Sequence, residues 1–465
     1  MPEAQVPPPL AKTQPSFRRQ NSTILKLLGV GALILVMLVP LLMIQSVLSE
    51  RLARRNEAVD EITSAWGKEQ NILGPVLCIP YRFRMMVVRE MPTSDGRVER
   101  REVEESALGT AYFLPEVLKI GGAVQTQLLH RGIYDAAVFR AQITLSGRFG
   151  VPDFAALKID HADVVWSDAF VTIAASDLRG TREGLVLDWG GVKRPLLPGS
   201  QLPGYTTGAT GTLGNEQAIT APVEFAIPLD VNGSGGIFFA PFGVQNEAEL
   251  KSNWPDPGFR GAFLPAERSV RPDGFEAKWK ISYYGRDYPQ QWTSRSGNER
   301  FNERTVSASL FGAQLLSILD AYRFVERSIK YGVLFFVLVF TTFFLFEMTA
   351  RQKIHPFQYL MVGAALCLFY LALLSISEFI GFGWAYLIAA VVATGLITWY
   401  CRYFLGGGVR TLMIGAGLAG VYTFLYITLR QQDYALLLGS VALFAVLALV
   451  MFVTRKVDWY ARDGG

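Results

Sequence analysis

Apolar residues are gathered into blocks along this chain. Residues 27–44, LLGVGALILVMLVPLLMI, run 18 positions without a polar side chain, near the roughly 20 helical residues that cross a hydrocarbon core about 30 Å thick. The run is too long for the core of a secretory signal, and the following QSVLSERLARR offers no small-x-small cleavage site, so the pattern predicts an uncleaved anchor. Five further blocks lie at about 331–349, 357–377, 382–400, 411–429 and 435–454. A backbone in lipid must satisfy every N–H and C=O internally, so these blocks read as packed helices. Six spans are expected, one followed by five.

Between the first and second blocks the period changes. Leu48, Leu52, Val59, Ile62 and Trp66 recur at helical intervals over 47–66, and Leu315, Leu319, Tyr322, Val325 and Ile329 do so over 313–330. These two juxtamembrane helices either pair as a stalk or each pack under the domain between them. Within 74–312 alternation takes over. In VEFAIPLDV, Val223, Phe225, Ile227, Leu229 and Val231 share one face, while Glu224, Pro228 and Asp230 share the other. AKWKISYY (277–284) alternates likewise, VLCIPYRFRMMVV (76–88) and FRAQITLSGRF (139–149) add strands, and glycines and prolines punctuate 197–215. The prediction is a membrane protein with a large all-β domain at 67–312, sandwich-like and antiparallel with one wet face, and no room for the helices of a βαβ fold. Residues 1–23 form a proline-rich disordered tail, 24–46 the first span, 331–454 the five-helix bundle and 455–465 a second tail.

Charge sets the orientation. With the N-terminus cytoplasmic, the short segments on that side hold Lys12, Arg18, Arg19, Lys26, Arg351, Lys353, Arg402, Arg410, Arg455, Lys456 and Arg462, against Arg430 alone on the other. This asymmetry places both termini in the cytoplasm and the β domain outside it, in the periplasm. Arg51, Arg54, Arg55 and Lys330 run against the trend, but long translocated domains largely escape the rule. Residues 51–328 hold 31 basic and 33 acidic side chains, net −2, so the positive balance of the chain, +4, sits at the cytoplasmic edges. No nucleic-acid partner is expected. The three cysteines have no metal-type spacing, and Cys78 is alone in the β domain.

Few residues carry candidate chemistry. Glu347 is the acid inside an apolar block, in FFLFEMTARQKIHPF, and a carboxylate in a membrane costs about 2–3 kcal/mol. It reads either as an anchor paired with Arg351 one turn on, both reaching the headgroups, or as a functional acid facing the bundle. Glu378, in the short turn SEFIGFGW, reads as a wet loop acid or as a polar group at the outer mouth of the bundle. His355 precedes Pro356, which predicts a turn opening a helix. His130 and His161 stand alone, and no nucleophile-elbow, Walker or dinucleotide pattern appears in a fitting context. No metal, cofactor or enzymatic activity is expected. In NWPDP (253–257) two prolines stiffen the backbone; the loop is foremost a rigid turn, and second a recognition loop in which Trp254 and Asp256 contact a sugar or a partner protein.

The segments GPVLCIPY (74–81), FLPEVL (113–118), RGIYDAAVF (131–139), SNWPDPGFRGAFLP (252–265), FEMTARQKIHPFQYLMVGAALCLFYLALLSISEFIGF (346–382) and VDWYA (457–461) resemble the CreD family of cell-envelope integrity inner-membrane proteins. The likeness covers the chain beyond its proline-rich tail. It implies an inner-membrane protein linked to envelope integrity and tolerance of envelope stress, expressed under a two-component system, and it carries over no catalytic residue. Three roles follow for test: an inner-membrane scaffold, embedded in the lipid bilayer, whose β domain binds an envelope protein or glycan; a transporter or lipid-handling bundle; and an envelope hydrolase needing paired acids.

Overall fold

The computed structural model describes residues 22–92, 98–181, 183–214, 218–295, 301–315, 321–350, 354–405, 408–431 and 434–455. The chain divides into two compact units, Met1–Arg55 with Leu319–Gly465, and Asn56–Ile318. The strands are β1 (Gln70–Pro92), β2 (Val98–Phe113), β3 (Val117–Arg131), β4 (Tyr134–Phe149), β5 (Phe170–Ala175), β6 (Val186–Trp189), β7 (Val192–Pro195), β8 (Leu197–Pro198), β9 (Gly208–Thr212), β10 (Val223–Ser234), β11 (Gly236–Phe239), β12 (Gln245–Ser252), β13 (Gly258–Gly261), β14 (Glu267–Arg271), β15 (Gly274–Ser282), β16 (Gln291–Thr293) and β17 (Phe311–Gln314). The helices are α1 (Ser22–Trp66), α2 (Glu303–Ser307), α3 (Ala321–Lys330), α4 (Gly332–Ala350), α5 (Pro356–Ile380), α6 (Phe382–Leu405), α7 (Gly408–Arg430) and α8 (Ala435–Thr454).

The β unit is built from two sheets. Among the described residues one has nine strands, with path β13-β17-β11-β1-β5-β9-β8, β2 paired to β1 and β16 to β2; the other has eight, in the order β14-β15-β12-β3-β4-β10-β6-β7. Their inner faces share one apolar cluster that includes Val76, Val171, Ile143 and Leu229. The alternation in β10 has its expected consequence, with Phe225, Ile227, Leu229 and Val231 buried and Glu224 and Pro228 exposed. Pro228 sits in β10 beyond the end of its pairing with β6, which covers only Phe225 and Ala226, so its missing N–H breaks no ladder on that side. Two pairings correct the antiparallel expectation: β1 runs parallel to β11 and β3 parallel to β12. Alternation marks a half-wet face but does not encode strand direction.

The expected helix at 313–330 is also corrected. Phe311–Gln314 is a strand bonded to β11 and β13, Leu315 is buried in the sandwich core, residues 316–320 of that expected helix lie outside the described residues, and Ala321–Lys330 is helical. A segment with two sheet partners satisfies its backbone there, whatever the apolar spacing suggests. The segment 47–66 is not a separate helix either; it continues the first span as one helix to Trp66, whose indole N–H donates to the Phe139 carbonyl at 3.1 Å. The β unit also holds the five-residue α2, closed by an Asn302–Thr305 capping box.

One buried acid of this unit, Asp177, is paired. The Asp177 carboxylate, 9% exposed in its side chain, accepts from Arg179 Nη2 at 2.6 Å and from the Arg179 backbone N–H at 2.9 Å. These contacts hold its carboxyl below the ordinary value of 3.8. A carboxylate with a lowered folded value contributes stability that is present above its ordinary value and is lost as pH falls through the folded one. Asp177→Asn is therefore expected to melt earlier than wild type at neutral pH, with the gap closing below about pH 4 as the wild-type acid titrates. Thermal melts of the full chain between pH 7 and pH 2 check this; a gap that persists unchanged at pH 2 speaks against the ion pair.

In the other unit the apolar blocks are helical. Leu28–Trp66, Pro356–Ile380, Phe382–Tyr403 and Gly408–Arg430 are each long and apolar enough to cross a membrane. A fifth span counts if Tyr322–Lys330 and Gly332–Phe344, bent by 47°, act as one, and α8 is a further, largely apolar helix of 20 residues. The buried stripe of α5 includes Tyr359, Val362, Leu366, Tyr370, Leu373 and Ser377, at helical spacing. Gly363 lets α1 close onto it, since a Cβ there would lie 2.7 Å from Met37 Sδ. His355 caps α5, accepting from the Phe357 N–H while Gln358 reaches back to its own N–H, with Pro356 at the first turn, as the sequence predicts.

Candidate functional site

The two membrane acids occupy separate sites. Glu347, on α4, is 8% exposed and accepts from the Tyr359 hydroxyl at 3.2 Å. Its sequence-predicted partner Arg351 lies outside the described residues. Glu378 is a correction: it stands inside α5, one turn before the Gly381 cap, and its side chain is 8% exposed, so it is no wet loop acid. The Tyr322 hydroxyl of α3 donates to Glu378 Oε1 at 3.0 Å, and Arg51 Nε of α1 lies 3.8 Å from the same oxygen. A carboxylate withdrawn from water needs such partners. They join three helices that are far apart in sequence. Tyr359 and Glu378 are 19 residues apart on α5, about 28 Å at the helical rise, so the two acids cannot share one proton or one ligand.

The loop around Trp254 is held inward. Asn253 Oδ1 accepts from the Thr126 N–H at 2.8 Å and from its hydroxyl at 2.7 Å, and Asn253 Nδ2 donates to the Thr126 carbonyl at 3.1 Å. The Trp254 indole N–H donates to the Asp256 carbonyl at 3.0 Å, and its half-buried ring packs against the sandwich core. The indole donor is thus used within the turn, while Asp256 stays exposed.

A second surface on the β unit has no signature in the sequence. On the outer face of the eight-stranded sheet, register places Ser146, Lys119, Glu247 and Lys280 in one row across β4, β3, β12 and β15, and Thr144, Gly121, Glu249 and Lys278 in the next. Gly121 has no side chain to fill its place and nothing within 4 Å of where a Cβ would stand. The face therefore dips into a depression of about 290 Å³ lined by both rows. Its flank is fixed by ion pairs: Lys251 lies 3.2 Å from Glu249 and 3.4 Å from Glu276, and Lys278 lies 3.7 Å from Glu249. The neighbouring Lys251 ammonium holds the Glu249 carboxyl below the usual range. These exposed pairs order the side chains more than they stabilise the fold. The depression offers ammonium donors, carboxylate acceptors and two hydroxyls on a rigid sheet, which suits recognition of a polar partner.

A family model described as "Inner membrane protein CreD" matches residues 22–460. The chain is 30% identical over 436 residues to "Inner membrane protein CreD" of Escherichia coli (strain K12), covering 94% of this chain and 93% of that relative. The chain therefore belongs to the CreD family of inner-membrane proteins.

Proposed function

We propose that this chain supports cell-envelope integrity and tolerance of envelope stress by binding rather than by catalysis. The membrane unit anchors the protein through six spans, and the outer face of the eight-stranded sheet contacts an envelope component in the periplasm. The orientation rests on the excess of Lys and Arg in the short segments on the side of the termini. The observation that carries the binding role is the polar depression around Gly121, preorganised by strands on both sides.

Gly121→Trp fills that depression from a position with open space around it, leaving the fold intact. In cells lacking the protein, wild type is expected to restore survival under envelope stress, and Gly121→Trp to fall to the level of the deletion. Glu347→Gln and Glu378→Gln are expected to restore survival fully. The burial of both acids favours a transport reading as the alternative. That reading gains, and this one fails, if either glutamine variant abolishes survival while Gly121→Trp is silent.

A further inference from the structure

Directly beyond β15, whose Lys278 and Lys280 line the depression, stand Tyr283 and Tyr284. Their rings pack at 4.4 Å between centroids, tilted by 40°, and Tyr284 is 85% exposed. The turn that presents them is fixed from below. The Tyr283 N–H donates to the Val244 carbonyl at 3.0 Å, and Phe263 lies so close to Gly285 that a Cβ there would meet its ring at 2.6 Å. Arg286 is buried and donates Nη1 to the Tyr288 carbonyl at 2.7 Å and Nη2 to the Gln290 side chain. An aromatic pair held outward on a rigid turn loses little freedom when something stacks on it.

We infer that the envelope component bound by this face is a glycan strand, seated across the Gly121 depression and stacked on Tyr284. This inference rests on the binding role proposed above and names the chemistry of its ligand. The C–H face of a sugar ring is apolar and suits an exposed tyrosine ring, while its hydroxyl and amide groups both donate and accept hydrogen bonds. Lys119, Glu247 and Lys280 form a row of alternating sign, and among the described residues none of the three has an ion-pair partner within 4.0 Å. Their donors and acceptors are open to a ligand. Alternating signs give no single-sign field for a polyanion, and the depression lacks the apolar anchor on which protein interfaces centre. Tyr284 lies four residues beyond Lys280, two in the strand and two in the Tyr283–Gly285 turn, roughly 10 Å along the chain, so the ligand spans more than one sugar ring.

The test is co-sedimentation of the full chain, in detergent micelles, with purified peptidoglycan sacculi. Wild type is expected in the pellet, Tyr284→Ala to bind about tenfold more weakly, the scale on which one stacking contact acts, and Tyr284→Phe to bind like wild type. Gly121→Trp is expected to bind as poorly as the alanine variant. Melting curves matching wild type establish that the variants are folded. Wild type that does not pellet above a sacculus-free control, or Tyr284→Ala that pellets like wild type, overturns the inference. Loss of cell survival in Gly121→Trp without any pelleting of wild type would keep the face as the contact surface and remove the glycan as its occupant.

Discussion

Replacing Gly147 with alanine is expected to prevent the β unit from folding. Gly147 has φ +151°, and a Cβ there would stand 1.9 Å from the Val117 carbonyl oxygen and 2.8 Å from its carbon. Both are backbone atoms of the adjacent strand, so no side chain can swing aside. The position is central as well: Gly147 pairs with Leu118 of β3 on one side and Phe225 of β10 on the other, and opening one ladder disturbs the next. Strain at such a backbone site costs about 1–3 kcal/mol, and overpacking adds about as much. Together these approach the 5–15 kcal/mol that holds an ordinary domain together. Gly121→Ala, on the neighbouring strand with open space around it, is the control and is expected to be near neutral. Expression yield and thermal melting of the two variants decide the matter; a Gly147→Ala protein that melts with wild type sinks the argument.

Trp279→Ala is expected to cost about 3–5 kcal/mol, the range for emptying a buried aromatic site. Trp279 is 1% exposed, its indole N–H donates to the Phe263 carbonyl at 3.2 Å, and its ring meets Phe259 and Phe311 at 5.9 and 5.8 Å. Alanine would leave a void beside two aromatic rings and an unmatched carbonyl, whereas Trp279→Phe keeps most of the contact and loses the hydrogen bond, worth about 1 kcal/mol. Chemical denaturation followed by fluorescence should rank wild type, phenylalanine and alanine in that order. A cost under about 1 kcal/mol for alanine would show that the site collapses freely. Trp279 also lies between Lys278 and Lys280 on β15, so the phenylalanine variant reports on whether core packing tunes the outer face.

What the sequence discloses here is periodicity. The apolar blocks become helices because a helix is how a single segment in lipid satisfies its backbone within itself, and the alternation of 223–231 becomes a strand with one buried face. His355 beside Pro356 reads as a helix start, and the structure makes it the cap of α5. Relations between distant residues stay hidden. Glu378 reads as a loop acid because nothing in SEFIGFGW announces Tyr322 or Arg51, which reach it from α3 and α1. The Gly121 depression draws on four strands, so its lysines and glutamates look like ordinary wet-face residues until register brings them into rows. Leu315 fits a helical stripe by spacing, yet it fills the sandwich core because the preceding strand has two partners.

Pro228 has a consequence for life in a crowded compartment. Past Ala226 the outer side of β10 has no strand beside it among the described residues, and a bare strand margin invites foreign chains to zip on. Here the first position that a visitor would meet lacks a donor at Pro228, Asp230 is tied to Arg140, and the Asn232 carbonyl is already taken by Gln70 Nε2 at 2.6 Å. The sheet thus refuses company on that margin, which guards the protein against amyloid-like recruitment while its broad face remains free to engage.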